Sequence, residues 1–151
     1  MLSNVISGCT NEYLQTNKRF YYLAYHTVLF LDYYLTIPPH DFSAILPFSI
    51  LGKEKRPLES IGDMISDKMY SREQLLNYVE HSRAKCKKLV ESLNDDNAKD
   101  LRFTEGQEEG DMDYSVLEIL LYNMRHTQHH VGQLNLMIRN DFNKHMEWVF
   151  R

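Results

Sequence analysis

The stretch from Tyr114 to Asn140 constrains the fold most, because it is the longest run in the chain whose apolar residues recur with a helical period. Val116, Leu120, Leu134 and Ile138 fall on one stripe, with Ile119 and Met137 beside it, which predicts one long helix with a single buried face. Ser115 and Glu118 mark its start as a capping box, in which hydroxyl and carboxylate satisfy backbone N–H groups that a first turn leaves unpaired. The helix also carries His126, His129 and His130. His126 and His130 stand one turn above each other, with Cβ atoms about 6 Å apart. Two imidazoles so placed can aim nitrogens at one ion about 2.0–2.1 Å away. At about 100° per residue both lie within roughly 40° of Ile119 and Met137 and face inward, whereas His129 points about 100° away from His130. Surface histidines, or core histidines bonded to backbone carbonyls, are the commoner explanation of such a pair, and the spacing does not choose between the readings.

Upstream, Phe20 to Leu35 is apolar or aromatic around nearly its whole circumference, and Pro38-Pro39 follow it. A strand is the rival reading for so many Tyr, Phe and Val residues, but this length without a turn signal predicts a buried central helix. Its two polar exceptions carry the information. His26 has Tyr22, Leu23, Leu29 and Phe30 as helical neighbours and is expected to be buried, as a ligand or as a satisfied core histidine. Asp32 needs a donor or cation if buried, so it caps, bridges to another helix or supports a site.

A further helix is predicted over Ser71 to Leu93, opened by the Ser71–Gln74 capping box and striped by Leu75, Val79, Ser82, Cys86, Leu89 and Leu93. His81 falls off that stripe and His40 lies in a loop, so both are expected at the surface. Thr36 to Tyr70 holds all four prolines and reads as a long connection, with one short helical turn within Ser43 to Leu51. Such a connection is placed to cover one end of a pocket. Asn94 to Asp113 reads as an acidic loop with a short extended pair near Leu101 to Phe103, and its carboxylate spacing fails the EF-hand pattern. The opening Met1 to Ile6 forms a short apolar piece that Gly8 ends, and the closing Met146 to Phe150 is expected to pack back on the domain or on a second subunit.

A chain of 151 residues predicts one domain, 1–151. With a net charge of −4 and no block of Lys or Arg, nucleic acid and anionic membrane surfaces are poor partners. Two lone cysteines, Cys9 and Cys86, form no disulfide framework and favour a reducing cytoplasm. Met1 to Leu14 lacks the basic start and continuous apolar core of a secretory signal, and Phe20 to Leu35 is too short to span a bilayer.

His126-xxx-His130-x-Gly132-Gln133 near the end of a long helix resembles the HxxxHxGQ motif of the DinB-like superfamily. Tyr25-His26, followed by Leu31-Asp32-Tyr33-Tyr34, is similar to that family's other signature, and the resemblance covers roughly residues 20–140. It implies an all-α, up-down-down-up four-helix bundle that binds a divalent metal, zinc or nickel, through one histidine of the second helix and two of the fourth. Carried over by position, the metal ligands are His26, His126 and His130. Gly132 then matches a small residue where helices approach closely, and Gln133 a hydrogen-bonding group beside the site. The family's first helix is longer than Met1 to Ser7 provides, so a shortened first helix is expected here.

Three neutral imidazoles with an open position form a catalytic rather than a structural metal arrangement. The resemblance implies a thiol-dependent S-transferase acting on a small molecule with a low-molecular-weight thiol cofactor, or a metal-dependent hydrolase. Asp32 and His129 are the candidates for a general base, and Tyr22, Tyr25 and Tyr122 for orienting substrate. The alternative is a non-catalytic, dimeric helical bundle whose metal site is structural or vestigial, and the apolar C-terminal segment makes a homodimer the expected assembly in either case.

Overall fold

Three long helices and the hydroxyls that tie loops to them position every residue of interest. The computed structural model describes residues 1–146 and 149. Six α-helices occur among them: α1 (Leu2–Gly8), α2 (Asn11–Thr16), α3 (Lys18–Tyr33), α4 (Arg72–Ser92), α5 (Asn97–Asp100) and α6 (Val116–Phe142). Two antiparallel hairpins complete the fold, β1 (Phe48–Ile50) with β2 (Met64–Ser66) and β3 (Arg102–Thr104) with β4 (Asp113–Ser115). The chain is therefore mostly helical with two small ladders.

The capping boxes fix the starts of the two longest helices. Ser71 Oγ accepts from Gln74 N–H while Gln74 Oε1 accepts from Ser71 N–H, and Ser115 and Glu118 exchange the same pair of bonds. Asn143 ends α6 in the left-handed region, φ 51°, a conformation asparagine tolerates at a helix C-terminus.

Helix directions follow from contacts at both ends. Tyr21, near the start of α3, bonds Lys68 O just ahead of α4, and Asp32, near its end, bonds Lys85 within α4, so α3 and α4 run parallel. Asn123 Nδ2 donates to Leu31 O, while Tyr13, just ahead of α3, stacks edge-on with Phe142, so α6 runs antiparallel to α3. α1 bridges α4 and α6 on the side away from α3, and Arg72, at the start of α4, donates to Cys9 O just past its end. α1 thus runs antiparallel to α4.

The core is built around α3, which is buried on nearly every side as its composition predicts, from Phe20 through Leu29. Its buried tyrosines each find a carbonyl: Tyr21 Oη donates to Lys68 O at 2.7 Å and Tyr25 Oη to Leu46 O at 2.8 Å, and Tyr70 Oη reaches Pro47 O at 2.8 Å. These bonds hold the 36–70 connection against α3.

Several boundaries differ from the sequence expectation. No helical turn forms within Ser43 to Leu51; Phe48–Ile50 instead becomes a strand, because a partner at Met64–Ser66 satisfies its backbone. Tyr114 belongs to β4, opposite Phe103, and not to the helix. α2 was not anticipated, although Thr10 caps it by accepting from Tyr13 N–H. Of the expected terminal packing, Met146 lies against α1, since a Cβ on Gly8 would meet its Sδ at 2.5 Å. Glu147, Trp148 and Phe150 lie outside the described residues. Among those described, no helix is long and apolar enough to cross a membrane.

Candidate metal centre

His26 projects from the middle of α3 toward α6, where His126 and His130 occupy successive turns. The antiparallel crossing brings all three rings together. His26 Nε2 lies 3.2 Å from His126 Nε2, which lies 3.1 Å from His130 Nε2, and three nitrogens, one from each ring, fall within 4.8 Å of one another. Two nitrogens bound to one ion at about 2.0–2.1 Å stand about 3.0–3.4 Å apart, so the spacing fits a shared divalent ion. His26 and His130 are 8% and 7% exposed, and His126 is half-buried.

The proton inventory fits the same occupant. Gln133 Oε1 sits 2.7 Å from His130 Nδ1; with the amide in this orientation it accepts from Nδ1–H, which leaves Nε2 as a lone pair facing the cluster. The Nδ1 atoms of His26 and His126 are buried without a hydrogen-bond partner among the described residues. The Ile61 backbone and Gly62 lie beside His26, where a Cβ on Gly62 would approach Nδ1 to 3.9 Å. Burial, then the neighbouring His126 and His130, lowers the pKa of His26 from 6.5 to about 3. Burial, then His130 and His129, lowers that of His126 to about 4. Burial also lowers that of His130, opposed by its bond to Gln133. Neutral imidazoles near pH 7 are what a metal requires.

These shifts carry a stability prediction. Because the folded values lie below 6.5, the unfolded chain binds more protons between about pH 4 and 6.5. The metal-free protein keeps this contribution above pH 7 and loses it as pH falls through that window, by up to about 1.4 kcal/mol per pH unit for each histidine. Thermal melts of chelator-treated protein from pH 8 to pH 4 check it, and an unchanging Tm would contradict it. A second prediction concerns Gln133. Gln133→Leu removes the group that holds the His130 ring and tautomer, and is expected to weaken metal binding about 10- to 100-fold with little change in metal-free Tm. A competing chromophoric chelator reads the affinity, and wild-type affinity in the variant would refute the role.

The walls are aromatic. Phe30 lies 4.5 Å from His26 between ring centroids, Tyr34 lies 5.5 Å from His126, and Tyr122 stacks on His126 at an interplanar angle of 13°. Of the other tyrosine candidates, Tyr25 is bonded to the Leu46 carbonyl and Tyr22 makes no hydrogen bond among the described residues. From sequence Phe30 is only a helical neighbour of His26 and Tyr34 only part of a family signature; the structure places both rings against the cluster, Phe30 because it sits one turn from His26 and so shares its face.

The two general-base candidates fall outside the triad. Asp32, 1% exposed, is held by Lys85 Nζ at 2.5 Å and by Tyr78 Oη at 2.8 Å, which faces it toward α4. His129 is exposed, with its ring 5.1 Å from that of His130 but outside the trio of converging nitrogens. Gly132 also departs from expectation. Among the described residues a Cβ there would meet nothing within 4 Å, and Gly132 borders a cavity of about 1270 Å³ instead. None of the three clustered histidines lines that cavity. A smaller one of about 680 Å³ adjoins them through Ile61 and Gln133, and Leu58 to Ile61 of the long connection form one of its walls.

No curated protein and no solved structure matches the chain. A family model described as the DinB superfamily matches residues 20–134, a span that contains His26, His126 and His130 and most of the two helices, α3 and α6, that carry them, and the chain belongs to that superfamily.

Proposed function

We propose that this protein is a metal-dependent enzyme in which His26, His126 and His130 hold one divalent ion, zinc or nickel, and that it catalyses either thiol-dependent S-transfer or hydrolysis on a small molecule. The observation that carries this reading is the convergence of three neutral imidazole nitrogens at 3.1–3.2 Å inside an aromatic pocket. Three ligands leave a coordination position for a reactant, where structural zinc normally has four. The ion would act as a Lewis acid, lowering the pKa of a thiol or water nucleophile toward neutrality.

The chain's own residues supply the rest. Gln133 fixes the tautomer and angle of His130, and Phe30, Tyr34 and Tyr122 exclude water from the nitrogens. The cavity beside Gln133 offers apolar surface from Leu23, Leu136 and Met137 for the organic part of a substrate, and Arg19 and Asn140 for a polar group. The scaffold we read as an up-down-down-up four-helix bundle, with the short α1 in the first position. The observed directions of α1, α3, α4 and α6 support that reading.

Untagged protein loaded with zinc or nickel, assayed with low-molecular-weight thiols against alkyl and epoxide electrophiles and with ester substrates, tests the activity. Turnover that chelation abolishes and the same metal restores is expected. Stoichiometric metal with no turnover, and chelation that moves only Tm, would favour the structural metal site instead.

A further inference from the structure

We propose that residues 57–63 form a strap over the metal centre, latched when the Ile61 carbonyl accepts from the Nδ1–H that His26 must carry as a ligand, and that Gly62 is the residue that positions this carbonyl. The inference rests on the reading of His26, His126 and His130 as ligands of one ion.

The proton inventory of the cluster calls for such an acceptor. A neutral imidazole has one N–H and one lone pair. The Nε2 atoms of His26 and His130 lie 3.2 and 3.1 Å from that of His126, so ligation by these atoms uses all three Nε2 lone pairs and leaves each ring its proton on Nδ1. His130 already has Gln133 Oε1 at 2.7 Å to receive that proton. His26 lacks the equivalent: its Nδ1 is buried without a partner among the described residues, on a residue only 8% exposed. A ligating histidine almost always gives its second N–H to a carboxylate, a backbone carbonyl or water, and the backbone beside this nitrogen is that of Ile61.

The strap is built to supply it. Its base is fixed where the β1–β2 ladder ends, by Leu51 N–H donating to Asp63 O at 2.9 Å, and its middle by Ser60 N–H and Oγ–H, which both donate to Pro57 O. Between these anchors, Ile61 and Gly62 make no backbone hydrogen bond with other backbone among the described residues, so the Ile61 carbonyl can turn onto His26 without breaking one. Gly62 has φ +72°, in the left-handed region that β-branched residues avoid, and this angle sets the direction of the peptide before it. Space is not the reason for glycine here, because a Cβ would stand 3.9 Å from His26 Nδ1, an ordinary contact. Ile61 and Gln133 also both line the cavity of about 680 Å³. The partners of two ligand histidines are thus walls of the adjoining cavity, and whatever fills it bears on the same groups that orient the ligands. Occupancy of the cavity and of the centre are thereby coupled, each favouring the other by the same factor.

NMR of the untagged full chain with isotope-labelled histidine, titrated with zinc, is the test. On zinc loading the His26 Nδ1–H is expected to become a slowly exchanging resonance with a nuclear Overhauser contact to the Gly62 Hα protons. Amide exchange within residues 57–63 should slow severalfold, while that of residues 105–112 stays as it was. Gly62→Val is expected to weaken zinc binding about 10- to 100-fold, and Gly62→Asn to keep most of the affinity, because asparagine enters the left-handed region. A glycine that merely shaped the loop would change the Tm of chelator-treated protein without this split in affinity. If zinc binds through the three histidines but the His26 Nδ1–H exchanges freely with water, or Gly62→Val binds zinc as tightly as wild type, the strap is overturned and the metal centre stands. If the wild-type chain takes up no zinc, the metal reading fails and the strap with it. Should Gly62→Val not fold, the wild-type spectra decide alone.

Discussion

His126→Ala is expected to abolish tight metal binding while leaving the metal-free fold nearly as stable as before. His126 is the middle member of the cluster, with the Nε2 atoms of both other histidines within 3.2 Å of its own. Its loss leaves two nitrogens on different helices, and since removing a group that merely orients a ligand costs about 10- to 100-fold, removing a ligand should cost more than about a hundredfold. The metal-free protein tells a different story. The variant loses ring contacts with Phe30, Tyr34 and Tyr122, but it also removes a buried Nδ1 that has no partner, a group whose burial costs about 1–3 kcal/mol. The two effects offset, so the Tm of chelator-treated protein should move little. Competition titration and melts with and without chelator separate the two quantities. A variant that melts far below wild type in both states would mean that His126 is a packing residue and not a ligand.

Lys85→Met should have the largest effect on stability. Its ammonium holds the carboxylate of Asp32 and also reaches Thr36 Oγ1, while Asp32 is 1% exposed and lies between α3 and α4. Removing the cation leaves a buried carboxylate with only the Tyr78 hydroxyl, and breaking a buried pair in this way costs about 3–5 kcal/mol. For a chain of this length that is a fall in Tm of roughly 6–20 °C. Asp32→Asn is expected to cost less, because Lys85, 28% exposed, can turn its charge toward water while the amide keeps a bond to Tyr78. The double variant should be more stable than Lys85→Met alone. If all three melt together with wild type, the pair contributes nothing. Metal affinity should be unchanged in each, since neither residue touches a histidine.

What could be read from the sequence, and what could not, divides by range of interaction. α4 and α6 begin where Ser71 and Ser115 place them because a capping box is a signal four residues long. The burial of α3 was equally legible, since a helix apolar all round has nowhere else to go. The pairing of Gln133 with His130 follows from a spacing of three on a helix. By contrast, β1 and β2 form because residues 14 or more positions apart meet in register, and nothing local to Ser43–Leu51 announces a partner at Met64–Ser66. The juxtaposition of His26 with His126 and His130 depends on an antiparallel crossing 100 residues away, which only the resemblance supplied. Gly132 was misread for the same reason. Its surroundings come from distant parts of the chain: a Cβ there meets nothing within 4 Å among the described residues, and it shares a cavity with Met1 to Asn4 and with Met146. Asp32 was left with three roles by its sequence, and its contact with Lys85 selects the bridge between helices.

In the proposed centre three histidines, and no other side chains, hold the ion. X-ray absorption at the metal edge of untagged, zinc-loaded protein tests it most directly. About three imidazole nitrogens at about 2.0–2.1 Å are expected, together with one light-atom ligand that a small thiol replaces with sulfur near 2.3 Å. A thiol-independent sulfur shell from Cys9 or Cys86, or a spectrum unaltered by His126→Ala, would contradict it.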